Sequence, residues 1–171
     1  MKRMILLSLF CLAGIVMANA QRFALIDMEY IMENIPAYQQ ANNELELASQ
    51  QYQKAVEAKA KEAEALYLAY QKAANTLSAT QRTQKEEAIV AKEREAAELR
   101  KKYFGPEGEM AQKQEALIAP IQNRIYEAVK QISSQKGYDA VIDRASATSI
   151  IFASPRIDIS NEVLAKLGYS N

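Results

Sequence analysis

The sequence predicts a mainly α protein with a small β body: a long antiparallel helical hairpin, or coiled-coil arm, attached to a small mixed β-sheet formed by the N-terminal and C-terminal segments. Three observations predict it. Residues 37–137 contain almost no glycine and are dense in alanine, glutamate, lysine and glutamine. Their apolar residues recur at steps of three and four, the spacing of a helical seam. Short, strongly apolar stretches with turn residues between them lie outside this region.

Along the chain, Arg22-Phe23-Ala24-Leu25-Ile26 reads as a short buried strand, and Asp27 is placed to cap a brief helix through Glu33. Pro36 starts the outgoing arm. Its seam runs Ala41, Leu45, Ala48 and Tyr52, then slips by a second consecutive step of four to Val56. Such a stutter locally unwinds a supercoil. Lys59 takes the next seam position before Ala63, Leu66, Tyr70, Ala73 and Leu77 resume the pattern. If helical from 37 to 75, the arm is ~58 Å long at 1.5 Å per residue. Ser78-Ala79-Thr80-Gln81 fits a capping box, so a new helix starts there and the arm turns.

The return helix repeats every seven residues through Ile89, Ala96, Tyr103, Met110 and Leu117, with Leu99 and Ile121 between them. Gly105-Pro106-Glu107-Gly108 interrupts it, and Pro120 offers a further bend. Gly137 is placed as a left-handed C-cap. Two strands, Tyr138 to Asp143 and Ser149 to Ala153, are expected next, then a short helix capped near Ser160, stapled by Ile159 and Leu164 and ended by Gly168. The three strands together would form the mixed sheet.

The first residues point to export. Lys2 and Arg3 precede an apolar run from Met4 to Met17, and Ala18-Asn19-Ala20 supplies small residues for cleavage before Gln21. The run is shorter than the ~20 residues that span a bilayer core. Cys11 lies inside it behind Ser8-Leu9-Phe10, which are bulky for a lipoprotein site. The expected division is a cleaved signal peptide at 1–20, a β-containing oligomerisation body from 21–36 with 138–171, and a helical-hairpin arm at 37–137. The expected location is the periplasm, with membrane contact at most peripheral.

Composition excludes most chemistry. The chain has no histidine and one cysteine, Cys11, which leaves with the signal. Disulfides, thiol nucleophiles, imidazole bases and the usual zinc ligands are then all lacking. The carboxylates alternate with lysines and arginines at helical spacing, as on a solvated face. No catalytic, cofactor-binding or metal-binding residue is assigned, and no enzyme activity or cofactor is expected. Without Lys2 and Arg3 the formal charge falls from zero to −2, and residues 37–137 carry 15 basic against 14 acidic side chains. That balance gives no electrostatic footprint for nucleic acid. A body of some 50 residues is marginal alone, so self-association is expected on physical grounds.

Read together, Phe23-Ala24-Leu25-Ile26-Asp27, Tyr30-Ile31, Ile35-Pro36, Tyr103-Phe104-Gly105-Pro106-Glu107-Gly108, Pro120-Ile121-Gln122, Gly137-Tyr138-Asp139-Ala140-Val141-Ile142-Asp143 and Asp158-Ile159-Ser160-Asn161-Glu162-Val163-Leu164 resemble the Skp/OmpH family of periplasmic chaperones, in particular its Bacteroidetes-type branch. The resemblance covers the whole chain after the signal, and order and spacing carry it. It implies a jellyfish-like homotrimer whose arms enclose a cavity, and an ATP-independent holdase for unfolded outer-membrane β-barrel proteins. A client strand of that kind cannot satisfy its backbone or its lipid face before insertion, so it needs a container. The near-neutral arms depart from the basic arms of the best-known members, which argues against strong attraction to anionic lipid or lipopolysaccharide.

Tyr52, Tyr67, Leu68 and Tyr70 are the candidate client contacts, with Tyr67 and Leu68 off the seam and Tyr70 also readable as a seam residue. Phe23, Leu25, Val141, Ile142, Ile150 and Ile151 are the candidate body or oligomer core. Gly105, Pro106 and Gly108 are a candidate arm hinge, or equally a rigid kink. The alternative function is a structural coiled-coil spacer or envelope tether without chaperone activity.

Overall fold

The computed structural model describes residues 22–169. The expected signal peptide lies outside them. The described chain runs β1 (Phe23–Ile26), α1 (Met28–Glu33), α2 (Pro36–Ala73), a 3-10 turn (Ala74–Thr76), α3 (Ala79–Phe104), α4 (Glu109–Lys136), β2 (Ala140–Asp143), a 3-10 turn (Pro155–Ile157) and α5 (Ser160–Lys166). It is mostly helical, with a long hairpin and a small sheet from its two ends. By contact it divides into two compact units, 22–31 with 126–169, and 32–125.

In the 32–125 unit, Pro36 occupies the first turn of α2, where its missing N–H costs nothing. The buried residues of α2 are Ala41, Ala48, Val56 and Ala63, all on the expected seam. Tyr52 is half-buried between Ala48 and Val56, so the stutter turns two successive steps of four inward. Further along, Ala63 faces the small Ala96 and Ala97 of α3. The two helices run antiparallel: as the residue on α2 advances from Tyr52 through Glu62 to Tyr70, its partner on α3 falls from Tyr103 through Lys92 to Glu86.

At the tip the capping box is complete. Ser78 Oγ accepts from the Gln81 backbone N–H at 3.3 Å, and Gln81 Oε1 accepts from the Ser78 N–H at 3.0 Å. Arg82 adds a bond to the Ala74 carbonyl at 2.9 Å. Ser78→Ala is expected to destabilise this end of α3 by about 1 kcal/mol. Hydrogen exchange of the Arg82 amide, which bonds the Ser78 carbonyl, reads the effect, and unchanged protection would contradict it.

α3 ends at Phe104 and α4 begins at Glu109, so the return helix breaks where Gly105-Pro106 predicts. The break is tightly packed. A Cβ at Gly105 would collide with the Lys101 carbonyl oxygen, and one at Gly108 would lie 2.8 Å from the Tyr103 oxygen. Pro120, by contrast, sits inside α4, which runs through it.

In the other unit, β1 is central. It pairs in parallel with β2 in the register Phe23↔Ala140 to Ile26↔Asp143, and on its other edge Leu25 bridges Asp158, with the Ile159 N–H donating to the Leu25 carbonyl at 2.8 Å. Asp27 caps α1 as expected, accepting from the Tyr30 N–H at 2.9 Å. Ala24, Leu25, Ile26, Ile31, Ala128, Ile132, Ile159, Val163 and Leu164 form the buried apolar set.

Two local expectations differ from the structure. Ser149 to Ala153 forms no strand, because the free edge of the four-residue β1 is taken by Asp158 and Ile159. Ser160 is the first residue of α5 rather than its cap: its buried hydroxyl accepts from the Asp27 N–H at 2.9 Å, and Asp158 Oδ1 accepts from the Ser160 N–H at 2.9 Å. Both left-handed glycine caps form. Gly137 has φ 67° and Gly168 φ 88°, and the amides of Tyr138 and Tyr169 reach back to the Ser133 and Leu164 carbonyls.

Candidate functional site

The arm surface is built by the seam. Between α2 and α3 the seam holds small alanines, the buried Val56 and Ile89, a stacked tyrosine pair and a ring of charges. Tyr67 and Leu68, off the seam, are 48% and 47% exposed, in a row with half-exposed Leu66. Tyr67 borders a groove of about 530 Å³ between the helices, with Val56 and alanines of both helices on its floor and Glu64, Glu93 and Arg100 also lining it. Leu47 on α2 and Val90 on α3 are also exposed, and the sequence reading missed both. Each lies directly beside a buried seam residue, Leu47 next to Ala48 and Val90 next to Ile89, so in sequence it passes for part of the seam's surroundings.

Tyr52 and Tyr70 stand differently. The Tyr70 hydroxyl donates to Glu86 across the hairpin, which raises its pKa. The Tyr52 ring stacks on Tyr103 with centroids 4.1 Å apart and planes 8° from parallel, and meets Phe104 edge-on at 6.4 Å. The Glu109 carboxyl raises the tyrosine pKa, and Tyr52 and Lys102, whose ammonium lies 3.2 Å from Glu109, lower that of the carboxyl. The structure therefore brings Tyr52 to the Gly105–Gly108 break and leaves Tyr67 and Leu68 facing solvent.

Lys59, the charged residue at a seam position, is answered from both sides. Lys59, Glu62, Lys92 and Glu95 close a ring, with Lys59–Glu62 at 3.0 Å, Lys59–Glu95 at 3.7 Å, Lys92–Glu62 at 3.4 Å and Lys92–Glu95 at 2.8 Å. Hydrogen bonds from the lysines lower the pKa of both carboxyls, and the bond to Glu95 raises that of Lys92. At the surface such a ring sets register more than it stabilises.

In the 22–31 with 126–169 unit, the six candidate core residues separate. Leu25 is buried, Val141 and Ile150 are half-buried, and Phe23, Ile142 and Ile151 are exposed. Ile151 is wholly exposed and its neighbour Phe152 is 85% exposed. Phe152 escaped the sequence reading although it lies in the same apolar run. The adjoining polar cleft holds Arg144, bound by Asp27 at 3.1 Å and Asp158 at 3.4 Å. Asp143 accepts the Met28 N–H at 3.0 Å and the Ala145 N–H at 3.1 Å; burial opposes its ionisation, but these and the Ser146 bonds outweigh it and lower the pKa.

Among the described residues no group of histidine, cysteine or carboxylate side chains is arranged to hold a metal, and no helix is long and apolar enough to cross a membrane. Residues 22–167 match the family described as outer membrane protein (OmpH-like). The chain is 26% identical over 156 residues to the chaperone protein Skp of Yersinia enterocolitica, covering 91% of this chain and 92% of that one. Its fold superposes on a crystal structure of an OmpH-like protein from Caulobacter crescentus with a TM-score of 0.66, at 13% identity, covering 85% of this chain and 82% of the other. Helical arm, terminal sheet and sequence match agree, and the chain belongs to the OmpH-like outer membrane protein family.

Proposed function

We propose that this protein is an ATP-independent holdase of the periplasm, a homotrimer that binds unfolded outer-membrane β-barrel proteins, prevents their aggregation and escorts them to the outer membrane. The observation that carries the reading is the scatter of exposed apolar side chains, Leu47, Leu66, Tyr67, Leu68 and Val90, along an arm of balanced charge. Separate apolar contacts among solvated charges hold an unfolded chain at many points without locking any one of them. The 15 basic and 14 acidic side chains of residues 37–137 favour a grip by shape over electrostatic capture. Self-association is supported by Ile151 and Phe152, an apolar pair that the protomer leaves in water. Periplasmic location is supported by the signal pattern before Gln21.

The test is dilution of an unfolded β-barrel outer-membrane protein from urea, with and without this protein in molar excess, followed by light scattering. Suppressed scattering is the expected result, and loss of suppression on Tyr67→Ser with Leu68→Ser would assign it to the arm. Unchanged aggregation would remove the holdase reading in favour of a coiled-coil spacer or tether.

A further inference from the structure

Midway along the arm, charge takes over from apolar packing between α2 and α3. The buried residues of α2 pass from Val56 directly to Ala63, and the seam position between them is Lys59. α3 answers this level with Lys92 and Glu95, while its buried residue, Ile89, lies nearer the tip. Helical spacing puts the ring of charges on one side of the seam and the groove of about 530 Å³ over Val56, Ala60, Ala63, Ala96 and Ala97 on the other.

The four pairs of the ring are unequal. Within each helix the lysine ammonium hydrogen-bonds the carboxylate three residues on, Lys59 to Glu62 at 3.0 Å and Lys92 to Glu95 at 2.8 Å. The pairs that cross the hairpin are longer, Lys92–Glu62 at 3.4 Å and Lys59–Glu95 at 3.7 Å. All four side chains are between 32% and 47% exposed, so water and ions reach them. Outside this level the helices are joined by other means. On one side Tyr52 stacks on Tyr103, and towards the tip Ile89 is buried and Ser78 closes the capping box.

We propose that the Lys59, Glu62, Lys92 and Glu95 ring is a salt-released latch: it closes the arm where no large apolar side chain does, and rising ionic strength parts α2 from α3 locally, between the Tyr52–Tyr103 stack and the tip.

The distances decide which contacts yield. Attraction between exposed charges is screened over the Debye length, ~10 Å at 0.1 M salt and ~3 Å at 1 M. The first exceeds both crossing distances and the second exceeds neither. The pairs inside each helix persist whether the hairpin is open or shut, because the helix itself holds residues three apart as neighbours. The crossing pairs have no such support, so they are the ones that salt removes. The ring stack and the burial of Ile89 are not electrostatic contacts and stay closed under the same change. Opening is therefore confined to the middle of the hairpin. The consequence for clients rests on the holdase reading: a released latch widens the groove that Tyr67 borders and offers Val56 and the alanines to an unfolded chain.

The measurement uses spin labels at Ala65→Cys and Ala91→Cys, exposed positions on α2 and α3 beside the ring, in a Cys11→Ser background diluted with unlabelled protein. A second labelled chain, Gln53→Cys with Lys101→Cys, reports the neighbourhood of the tyrosine stack. Between ~20 mM and ~1 M sodium chloride, the first pair is expected to lengthen and broaden while the second keeps its distribution. Lys92→Glu places repulsion across the hairpin and is expected to give the broad distribution already at low salt. Exchanging all four charges, with Lys59→Glu, Glu62→Lys, Lys92→Glu and Glu95→Lys, rebuilds the ring with opposite sign and is expected to restore the narrow peak and its salt response. Far-UV circular dichroism follows helicity, and if Lys92→Glu unfolds, the salt series on the otherwise unaltered arm still decides. A first pair that is unchanged by salt, or a second pair that broadens equally with it, would overturn the latch. Distances are read without client, so a failure of aggregation suppression leaves this result standing and removes only its consequence for clients.

Discussion

A chain carrying Ile151→Glu and Phe152→Glu together is expected to sediment as a monomer at concentrations where the parent is the proposed trimer. Ile151 is wholly exposed and Phe152 nearly so, so neither change removes a contact within the protomer. Burial of each parent side chain against another copy contributes about 1.5–3 kcal/mol. A carboxylate in its place loses that term and adds the cost of desolvating a charge, which is larger. Several such positions recur around any symmetric assembly, so the loss multiplies. Sedimentation equilibrium reads the mass, and circular dichroism is expected to show unchanged helicity. A parent mass retained in the double variant would mean that the interface lies elsewhere.

Ile132→Ala is expected to act in the opposite way, on the fold of each protomer, lowering stability by about 2–5 kcal/mol in urea titrations. Ile132 is 2% exposed on α4, in a unit whose fully buried large side chains also include Ile31 and Val163. Truncation leaves a cavity that the short β1 and α5 can relax into only in part. A domain holds ~5–15 kcal/mol in total, so one methyl-rich side chain is a large share of it. A loss below that of an exposed control such as Leu47→Ala would show that the site collapses freely. The two experiments separate assembly from folding, since the first changes mass and the second changes the midpoint.

What the sequence made legible is local chemistry. The Ser78–Gln81 box, the break at Gly105-Pro106, the Asp27 cap and the left-handed Gly137 and Gly168 all follow from residues within a few positions of one another, and all form. The seam of α2 was legible for the same reason from Ala41 to Ala63, including its stutter at Tyr52 to Val56, but Leu66, expected on it, is left 39% exposed. Non-local pairing was not. Lys59 reads as a defect in the seam until the register of the hairpin places Glu95 opposite it. Tyr52 reads as a client contact until the same register places Tyr103 against its ring. Ser149 to Ala153 has every local mark of a strand, yet pairing needs a free edge, and Asp158 and Ile159 occupy the available one. Ser160 has the residue type of a cap, but Asp27, far away in sequence, takes its hydroxyl.

The parallel pairing of β1 with β2 has a consequence for the order of events during biogenesis. Arg22 and Asp139, which bond at the start of this ladder, are 117 residues apart, so β1 finds its neighbour only after the whole hairpin has been synthesised. Closing so long a loop is slow unless the intervening chain is already shortened. The hairpin shortens it, since its seams and capped tip are local and can form first. A growing chain would therefore carry an unpaired β1 for most of its synthesis, and a protein cut anywhere before Ala140 would have no β2 to complete its sheet.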